Sequence, residues 1–312
     1  RLNLRAAQVS VERQAIAQQG HMQLVFHAGA HFTEEERLMK CLLRNQERLR
    51  ERGVSVPGPG KYRKLLRQTV VAMSENAAAH DARDVVLDAI LDDDRAERVL
   101  LSNAHFFGAP RAALRKGLIY PNAAERLANL AQLFQGDEIE LFMAIRNPAT
   151  FLPACFHKSP REDTADFMGG VDPRAVRWSD SFVRMREAAP EIPITIWCNE
   201  DAPFLWSQIV REMGGMDHGE PVVGGFDLFG DIISKDGMNR FAAYIKSKPA
   251  LTEIQVRRVM VAFLDKFAIE EAIEEEIDMP GWSAELVDEM TEAYDDDVAA
   301  IERIPGITLL SP

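Results

Sequence analysis

Three histidines and a run of acidic residues are the side chains in this chain best suited to chemistry. His27 and His31 lie at the end of the first apolar stretch, His105 follows an apolar stretch that ends at Ser102, and residues 34–36 are all glutamate. A histidine can accept a proton from a substrate hydroxyl, because its pKa lies near neutral pH. Imidazole nitrogens and carboxylate oxygens also bind metal ions, although the spacing here matches no strong metal motif. Otherwise these histidines would simply line a polar cleft.

The first of these stretches has the order strand, tight turn, helix. Residues 23–27 predict a short buried strand, Gly29 allows a tight turn, and a helix is predicted to begin at about Thr33. This order is typical of anion binding, because backbone N–H groups and the positive end of the helix dipole converge on one point. The first helical turn, however, carries glutamates at 34–36 in place of Gly, Lys, Ser or Thr. Thr33 and Glu36 have capping-box spacing, so the helix is predicted to cap its own N-terminus.

Five segments of the chain, in this order and spacing, resemble motifs of the bacterial sulfotransferase-like proteins of the P-loop-like sulfotransferase superfamily. The opening motif of that family is H-I-G-x-H-K-T-G-T-T-x-L-Q followed by a helix, and the later motifs are a GV-x-YP segment, a strand ending in Ser, an R-x-P element and a late strand ending in acids. The matching segments are HAGAHFTEEERLMKCLLRN (27–45), GVSVPGPGKYR (53–63), VLLSNAHF (99–106), FMAIRNPATFLPACF (142–156) and ITIWCNED (194–201). The resemblance covers the chain from about Met22 to its last residue.

The resemblance implies an α/β fold of three layers, α/β/α, with a central parallel sheet and a helical C-terminal part. We expect residues 22–312 to form one such domain, and we set residues 1–21 aside as an N-terminal extension or a cloning remnant. The alternation of strands and helices independently indicates a parallel sheet with helices on both faces.

Hydrophobic periodicity predicts where these elements begin and end. Strands are predicted at 23–27, 98–102, 138–145 and 192–197, and helices at 33–52, 64–79, 82–91, 122–134, 148–157, 175–189, 202–213, 252–276 and 283–304. Residues 56–62 and 158–173 are predicted to be loops, and 307–310 a short apolar tail. The acidic triplets at 92–94 and 295–297 are expected to be solvated.

The resemblance also implies which residues would hold the sulfonate donor, 3′-phosphoadenosine 5′-phosphosulfate. His31 and Thr33 match positions of the family's loop and are candidate donor-binding residues, but Phe32 stands where the family has its Lys. Loss of that Lys removes a charge-assisted hydrogen bond worth roughly 1.5–3 kcal/mol. A carboxylate close to a phosphate adds repulsion of about 1–4 kcal/mol. The phosphosulfate loop is therefore degenerate, and we expect ordinary donor binding to be lost or strongly impaired.

Two further site residues follow from the resemblance. Arg146 matches the arginine that grips the donor's 3′-phosphate, with Asn147 beside it at the start of a helix, but the family's Ser eight residues later is Ala154 here. His105 is the candidate catalytic base. Arg146 would otherwise be an ordinary salt-bridging residue at a strand end.

Three hypotheses for function remain open. The leading one is a binding or regulatory pseudoenzyme, or an enzyme repurposed for another ligand, with no cofactor assigned. The second is an active sulfotransferase that transfers sulfonate to a hydroxyl or amine, with Arg146 on the nucleotide and His105 as base. The third, weaker one is a metal-binding protein that uses His27 and His31 with Glu34 or Glu35; no metal ligand is assigned otherwise.

Composition limits the partners of the protein. A formal charge of −13 argues against a general nucleic-acid binder. No apolar run approaches the length of a membrane span, so no membrane partner is expected. Three widely spaced cysteines, Cys41, Cys155 and Cys198, suit buried thiols in a reducing compartment, which predicts a cytoplasmic protein. The identity of any small-molecule or protein ligand is not readable from the sequence.

Overall fold

A six-stranded parallel sheet forms the centre of the protein. The computed structural model describes residues 22–75, 79, 81–91, 96–275 and 277–312. The strand order is β2-β3-β1-β6-β7-β8, and a separate antiparallel hairpin consists of β4 and β5. In chain order the strands are β1 (Gln23–His27), β2 (Val54–Ser55), β3 (Arg98–Ser102), β4 (Leu114–Arg115), β5 (Leu118–Ile119), β6 (Glu138–Ile145), β7 (Ile194–Cys198) and β8 (Ile307–Leu310).

Helices cover both faces of this sheet, which confirms the predicted three-layer α/β/α fold. None of the helices within the described ranges is long and apolar enough to cross a membrane. In chain order they are α1 (Glu35–Arg44), α2 (Gln46–Glu51), α3 (Pro59–Met73), α4 (Ala82–Ile90), α5 (Ala123–Leu133), α6 (Pro148–His157), α7 (Thr164–Met168), α8 (Ser179–Ala188), α9 (Ala202–Gly214), α10 (Asp227–Ile232), α11 (Lys235–Ser247), α12 (Glu253–Phe267), α13 (Glu270–Ile273) and α14 (Ala284–Ile301).

The two faces of the sheet belong to separate hydrophobic clusters. Leu24 and Phe26 pack into one cluster, whereas Val25, between them on β1, packs into the other. Successive side chains of a strand point to opposite faces, and a parallel strand covered on both sides therefore reads as an unbroken apolar run. A third cluster, which includes Phe229, Phe241 and other residues of α10, α11 and α12, gives the helical C-terminal part a core of its own.

The position of β1 makes its carboxyl end the switch point of the sheet, where folds of this kind place a crevice. From β1 the chain builds β2 and β3 on one side, then crosses to build β6, β7 and β8 on the other. Ligands of open parallel sheets bind at such a switch point, beyond the carboxyl ends of the strands. The loop after β1 and the residues that follow β3 and β6 are thus the ones to inspect for function.

Asn45 divides the single helix predicted at 33–52 into α1 and α2. Its buried side chain donates from Nδ2 to the carbonyl oxygens of Cys41 (2.8 Å) and Val223 (3.0 Å), and its Oδ1 accepts from the N–H of Val223 (2.9 Å). These bonds fix α1 to a segment 178 residues further along the chain. The pattern of apolar residues could not show this break, because its partner is distant in sequence.

Other element boundaries also differ from the prediction. The helix predicted at 64–79 begins earlier, because Pro59 occupies its first turn, where its missing N–H costs nothing. The apolar tail is the edge strand β8, paired with β7. The loop at 158–173 contains α7, whose Phe167 and Met168 are buried. The helix predicted at 252–276 ends at Phe267 and is followed by the short α13.

Asp297 is buried, contrary to the expectation that residues 295–297 are solvated. Its carboxylate accepts hydrogen bonds from the N–H groups of Trp178 (2.6 Å) and Ser179 (3.2 Å), so it caps the first turn of α8. The other triplet, at 92–94, and the expected N-terminal extension at 1–21 lie outside the described residues. Cys41, Cys155 and Cys198 are buried free thiols, as predicted.

Replacement of Asn45 by Ala should lower the free energy of unfolding by about 1–3 kcal/mol, because the backbone groups of Val223 and Cys41 lose their partner. Denaturant unfolding monitored by tryptophan fluorescence measures this loss. The matched control is Gln46→Ala, an exposed neighbour expected to change stability by less than about 0.5 kcal/mol. Equal effects for the two variants would contradict the role assigned to Asn45.

Candidate functional site

The loop after β1 continues the pairing of β1 with β6 instead of opening around an anion. The N–H of Ala28 donates to the carbonyl oxygen of Phe142 (3.0 Å), and the N–H of Ala30 donates to that of Ala144 (2.8 Å). The N–H of Ala144 returns a bond to the Gly29 carbonyl oxygen (2.6 Å). An anion-binding loop needs its N–H groups directed at the ligand. In this loop the N–H groups of Ala28 and Ala30 are used inside the protein.

Gly29 is required by the geometry of this loop. Its φ of +96° lies in a region that L side chains rarely adopt, and an added Cβ would lie 3.1 Å from the His31 nitrogen and 3.3 Å from the Cα of Ala104. The turn predicted at Gly29 lies two residues later, at His31 and Phe32, because Gly29 itself still pairs with β6.

Arg146 closes the loop from the β6 side. Its guanidinium donates to the Phe32 carbonyl oxygen (2.8 Å), to Oγ1 of Thr150 (2.9 Å) and to Oε2 of Glu275 (2.5 Å). Phe32 has a φ of +60°, which is uncommon for an aromatic residue, and its contact with Arg146 helps to hold it there. The Arg146 side chain is 14% exposed. To grip a nucleotide phosphate, this arginine would have to give up contacts that hold the loop.

Asn147 caps a helix and joins three elements. Its Oδ1 accepts from the N–H of Ala149 (2.9 Å), which makes it the N-cap of α6. Its Nδ2 donates to Oγ1 of Thr291 on α14 (2.9 Å), and its N–H donates to Oε1 of Glu200 (2.7 Å). Burial raises the pKa of the Glu200 carboxyl, while this hydrogen bond opposes the shift. These contacts give Asn147 a structural role.

The capping box predicted for Thr33 and Glu36 is wrong. The N-cap of α1 is Glu34, which makes no side-chain capping bond. The Thr33 hydroxyl turns back and donates to the Ala30 carbonyl oxygen (2.6 Å), and the Glu36 carboxylate accepts from Arg63 on α3 (2.7 Å). The N-cap of α1 is therefore Glu34, one residue later than the predicted N-cap, Thr33.

His27 is a buried, neutral side chain at the end of β1. Its Nδ1 lies 2.8 Å from Oγ of Ser102 at the end of β3, and its ring stacks on Trp197 with centroids 5.8 Å apart. Burial lowers its pKa to about 3; the charge of Arg63 acts in the same direction, and a hydrogen bond to the backbone of Gly29 opposes both. Such a histidine links β1 to β3 and is uncharged at neutral pH.

His31 is buried beside Tyr120. Its backbone N–H donates to the Tyr120 hydroxyl oxygen (2.8 Å), and its Nδ1 lies 2.7 Å from the same oxygen. Burial lowers its pKa to about 3, and the charge of His105 acts in the same direction. The two imidazole rings meet edge to face with centroids 4.9 Å apart. The structure therefore brings His31 and His105 together at the carboxyl edge of the sheet, as predicted from the fold.

His105 is the exposed member of this pair. Its backbone N–H donates to Oδ1 of Asn103 (3.0 Å), which fixes the backbone just after β3. Partial burial lowers its pKa, and Arg67 and Arg63 lower it further, while Glu36 opposes them. The imidazole is thus neutral near pH 7, the state in which it can accept a proton.

Three arginines beside His105 were not singled out from the sequence. Arg63 and Arg67 are four residues apart on α3, and Arg126 reaches the same region from α5. Arg63 donates from Nε to the Ser102 carbonyl oxygen (2.9 Å), and Arg126 donates to the Phe106 carbonyl oxygen (3.0 Å). The signal was the four-residue spacing, which puts two side chains on one helix face. It was missed because the helix was predicted to begin at residue 64, one residue after Arg63. We call Arg63, Arg67 and Arg126 the cationic cluster.

The histidines do not assemble a metal site in the described part of the chain. No three His, Cys, Asp or Glu side chains come close enough there to hold one ion. His27 and His31 each place Nδ1 against a hydroxyl, on Ser102 and Tyr120 respectively. The metal-binding hypothesis lacks a ligand set on these residues.

No protein-family model and no curated protein sequence matches this chain. Its parallel sheet with helices on both faces is compatible with a P-loop-like fold. The resemblance to sulfotransferase-like proteins consequently depends on the five sequence segments together with this coarser likeness of fold.

Acid should destabilise the protein through His27. Its pKa is near 6.5 when unfolded and about 3 when folded, so between these values the unfolded chain binds more protons and stability falls as pH falls. At about pH 4.5 the expected loss is about 2.5 kcal/mol relative to neutral pH. His27→Asn, which keeps an acceptor for the Ser102 hydroxyl, should flatten this dependence in urea unfolding curves. His218→Asn, at an exposed histidine, is the control; equal pH slopes for all three proteins would refute the assignment.

Proposed function

We propose that this chain functions by binding a ligand or partner, in a binding or regulatory role, and not by sulfonate transfer. The observation that carries the proposal is the hydrogen bond from the Ala30 N–H to the Ala144 carbonyl oxygen, which uses an amide that an anion-binding loop would direct at the donor. Arg146, the residue expected to hold the nucleotide, is engaged with Phe32, Thr150 and Glu275.

The charges around the loop support the same proposal. Glu34 and Glu36 lie in or beside the first turn of α1, and Glu275 reaches Arg146 from the C-terminal part of the chain. Burial raises the pKa of the Glu34 carboxyl, while Arg37 and Arg146 oppose the shift. A phosphosulfate placed here would meet carboxylates at short range, with repulsion of about 1–4 kcal/mol per close pair. The loop offers no compensating lysine.

The cationic cluster is the part of the crevice that would receive an anionic group. Arg67 and Arg126 place positive charge close to Arg63, which is itself paired with Glu36, in a chain whose formal charge is −13. The desolvation of Arg126 and the proximity of Arg67 both lower the Arg126 pKa, while Glu125 opposes them. Repulsion among these cations is relieved when an anion binds between them. The chemical group expected here is a carboxylate or phosphate of a ligand or partner.

One observation favours the alternative, an active sulfotransferase. His105 is exposed at the carboxyl edge of the sheet, and its lowered pKa keeps the imidazole neutral, as a general base requires. This alternative needs the donor, 3′-phosphoadenosine 5′-phosphosulfate, to bind in the crevice with its sulfonate directed at an acceptor near His105.

Calorimetric titration with 3′-phosphoadenosine 5′-phosphate, the desulfonated donor, distinguishes the binding role from the active sulfotransferase. We expect binding no tighter than millimolar, through contact of its phosphates with the cationic cluster, because the loop amides and Arg146 are occupied and the nearby carboxylates repel phosphate. Micromolar binding to the unaltered chain would overturn the proposal in favour of the active enzyme.

A variant of the loop after β1 tests whether the missing lysine and the added acid are what prevents nucleotide binding. Phe32→Lys combined with Glu34→Gly should increase affinity for this nucleotide by at least about tenfold, because it adds a cation and removes an acid. The matched control, Phe32→Met with Glu34→Gln, removes the same acid without adding a cation and should bind more weakly than the Lys variant. Identical titrations for both variants would show that the loop is not aligned with the phosphate-binding motif.

A further inference from the structure

A second site lies in the helical C-terminal part, away from the crevice. A cavity of about 540 Å³, open to solvent on one side, is lined by α9, the segment at 218–226, α11 and α12. None of its lining residues belongs to the loop after β1 or to the cationic cluster. Its volume is within the range of pockets that hold small organic ligands, about 300–1,000 Å³.

The walls of this cavity are mainly apolar. They include two aromatic rings and four aliphatic or thioether side chains: Phe204, Phe226, Ile245, Leu251, Val256 and Met260. Several of these residues belong to, or pack against, the core of the C-terminal helices. An apolar wall of this extent favours a ligand whose body is aromatic or aliphatic.

Three cationic side chains, Arg211, Lys248 and Arg257, line the same cavity. Arg211 is buried, forms an ion pair with Glu253 and donates to the Glu220 carbonyl oxygen (3.1 Å). The Glu220 carboxylate, the other acid of the lining, pairs outside the cavity with Arg52 (3.2 Å). Glu253 is thus the carboxylate that pairs with a cation inside the cavity, and the charges of Glu212 and Glu220 also act on Arg211.

Arg257 is the cation whose charge the cavity leaves uncompensated. It is half-buried and donates to the amide oxygen of Gln208, a neutral acceptor. Burial lowers the pKa of Arg257, and no carboxylate of the described residues raises it. Burial also lowers the pKa of Arg211, and the charge of Arg257 lowers it further. A half-buried guanidinium next to a second one is costly unless an anion accompanies it.

We propose that this cavity binds a small organic monoacid, with its aromatic or aliphatic body against the apolar wall and its carboxylate on Arg257. The planar guanidinium fork matches a carboxylate in geometry and supplies charge-assisted hydrogen bonds. One added negative charge offsets that of Arg257, since Arg211 is paired with Glu253 and Lys248 is exposed to solvent. A neutral ligand of the same shape leaves Arg257 without a counter-charge, and the charge on the acid is therefore the basis of selectivity.

The test compares phenylbutyrate with phenylbutyramide, its neutral isostere, and octanoate with octanamide, by calorimetry on the full chain. At least one of the two acids should bind at submillimolar concentration, and its amide should bind at least about tenfold more weakly. Arg257→Gln should weaken binding of the acid by about tenfold or more, whereas Arg258→Gln, at the exposed neighbour on α12, should change it by less than about twofold. Thermal unfolding of each variant establishes that it is folded.

A second variant keeps the test decisive if Arg257→Gln unfolds the protein. Ile245→Trp fills the cavity from the α11 side and should abolish binding of the acid while leaving Arg257 in place. Equal affinity for acid and amide, acid binding that survives both variants, or no binding of either acid at millimolar concentration would each overturn the proposal.

Discussion

The pairing of β1 with β6 extends past the end of β1 into the loop, and the rest of the crevice depends on this extension. Backbone amides that would face a phosphate in an anion-binding loop lie instead in the ladder, at Ala28 and Ala30. A hydrogen bond inside the protein and a hydrogen bond to a ligand cannot use the same N–H. Opening the loop would thus require the ladder to break before any phosphate contact forms.

Arg146 also stabilises the closed conformation of this loop. By donating to the Phe32 carbonyl oxygen it stabilises a backbone conformation with positive φ, and by pairing with Glu275 it connects the loop to the C-terminal part of the chain. Arg146 is of a residue type suited to phosphate recognition, but its contacts give it a structural role. Among the described residues, positive charge that is not paired with a carboxylate lies instead at Arg67 on α3, at Arg126 on α5, and at Arg257 in the cavity of the C-terminal helices. These two locations are where the sequence and structure direct the search for ligands.

Elements defined by local pattern were predicted well from the sequence. The strands Arg98–Ser102 and Glu138–Ile145 and the helix Pro148–His157 have the predicted limits, since an apolar run or a proline at the first helical turn marks them locally. Features set by distant partners were not predictable. The break at Asn45 depends on Val223, and strand β8 exists because its backbone meets β7.

In the candidate site, too, features set by local sequence were predictable and features set by distant partners were not. The sequence located His31 and His105 at one sheet edge, because residues after parallel strands converge there. It could not show that Arg146 is occupied, because Glu275 lies 129 residues away, nor that Thr33 turns toward Ala30. Side-chain partners that are far apart in sequence are determined by tertiary packing, and the spacing of residues along the sequence does not predict them.

Residue-resolved amide hydrogen exchange of the loop, measured by NMR, tests the central claim most directly. The account predicts that the Ala30 and His31 amides are protected to the same order as the Val25 amide in the centre of β1, because the first donates to Ala144 and the second to Tyr120. Exchange of the Ala30 amide at the rate of an exposed loop, with Val25 still protected, would contradict it. The amide would then be free to bind an anion, and the loop would have kept the function that its layout suggests.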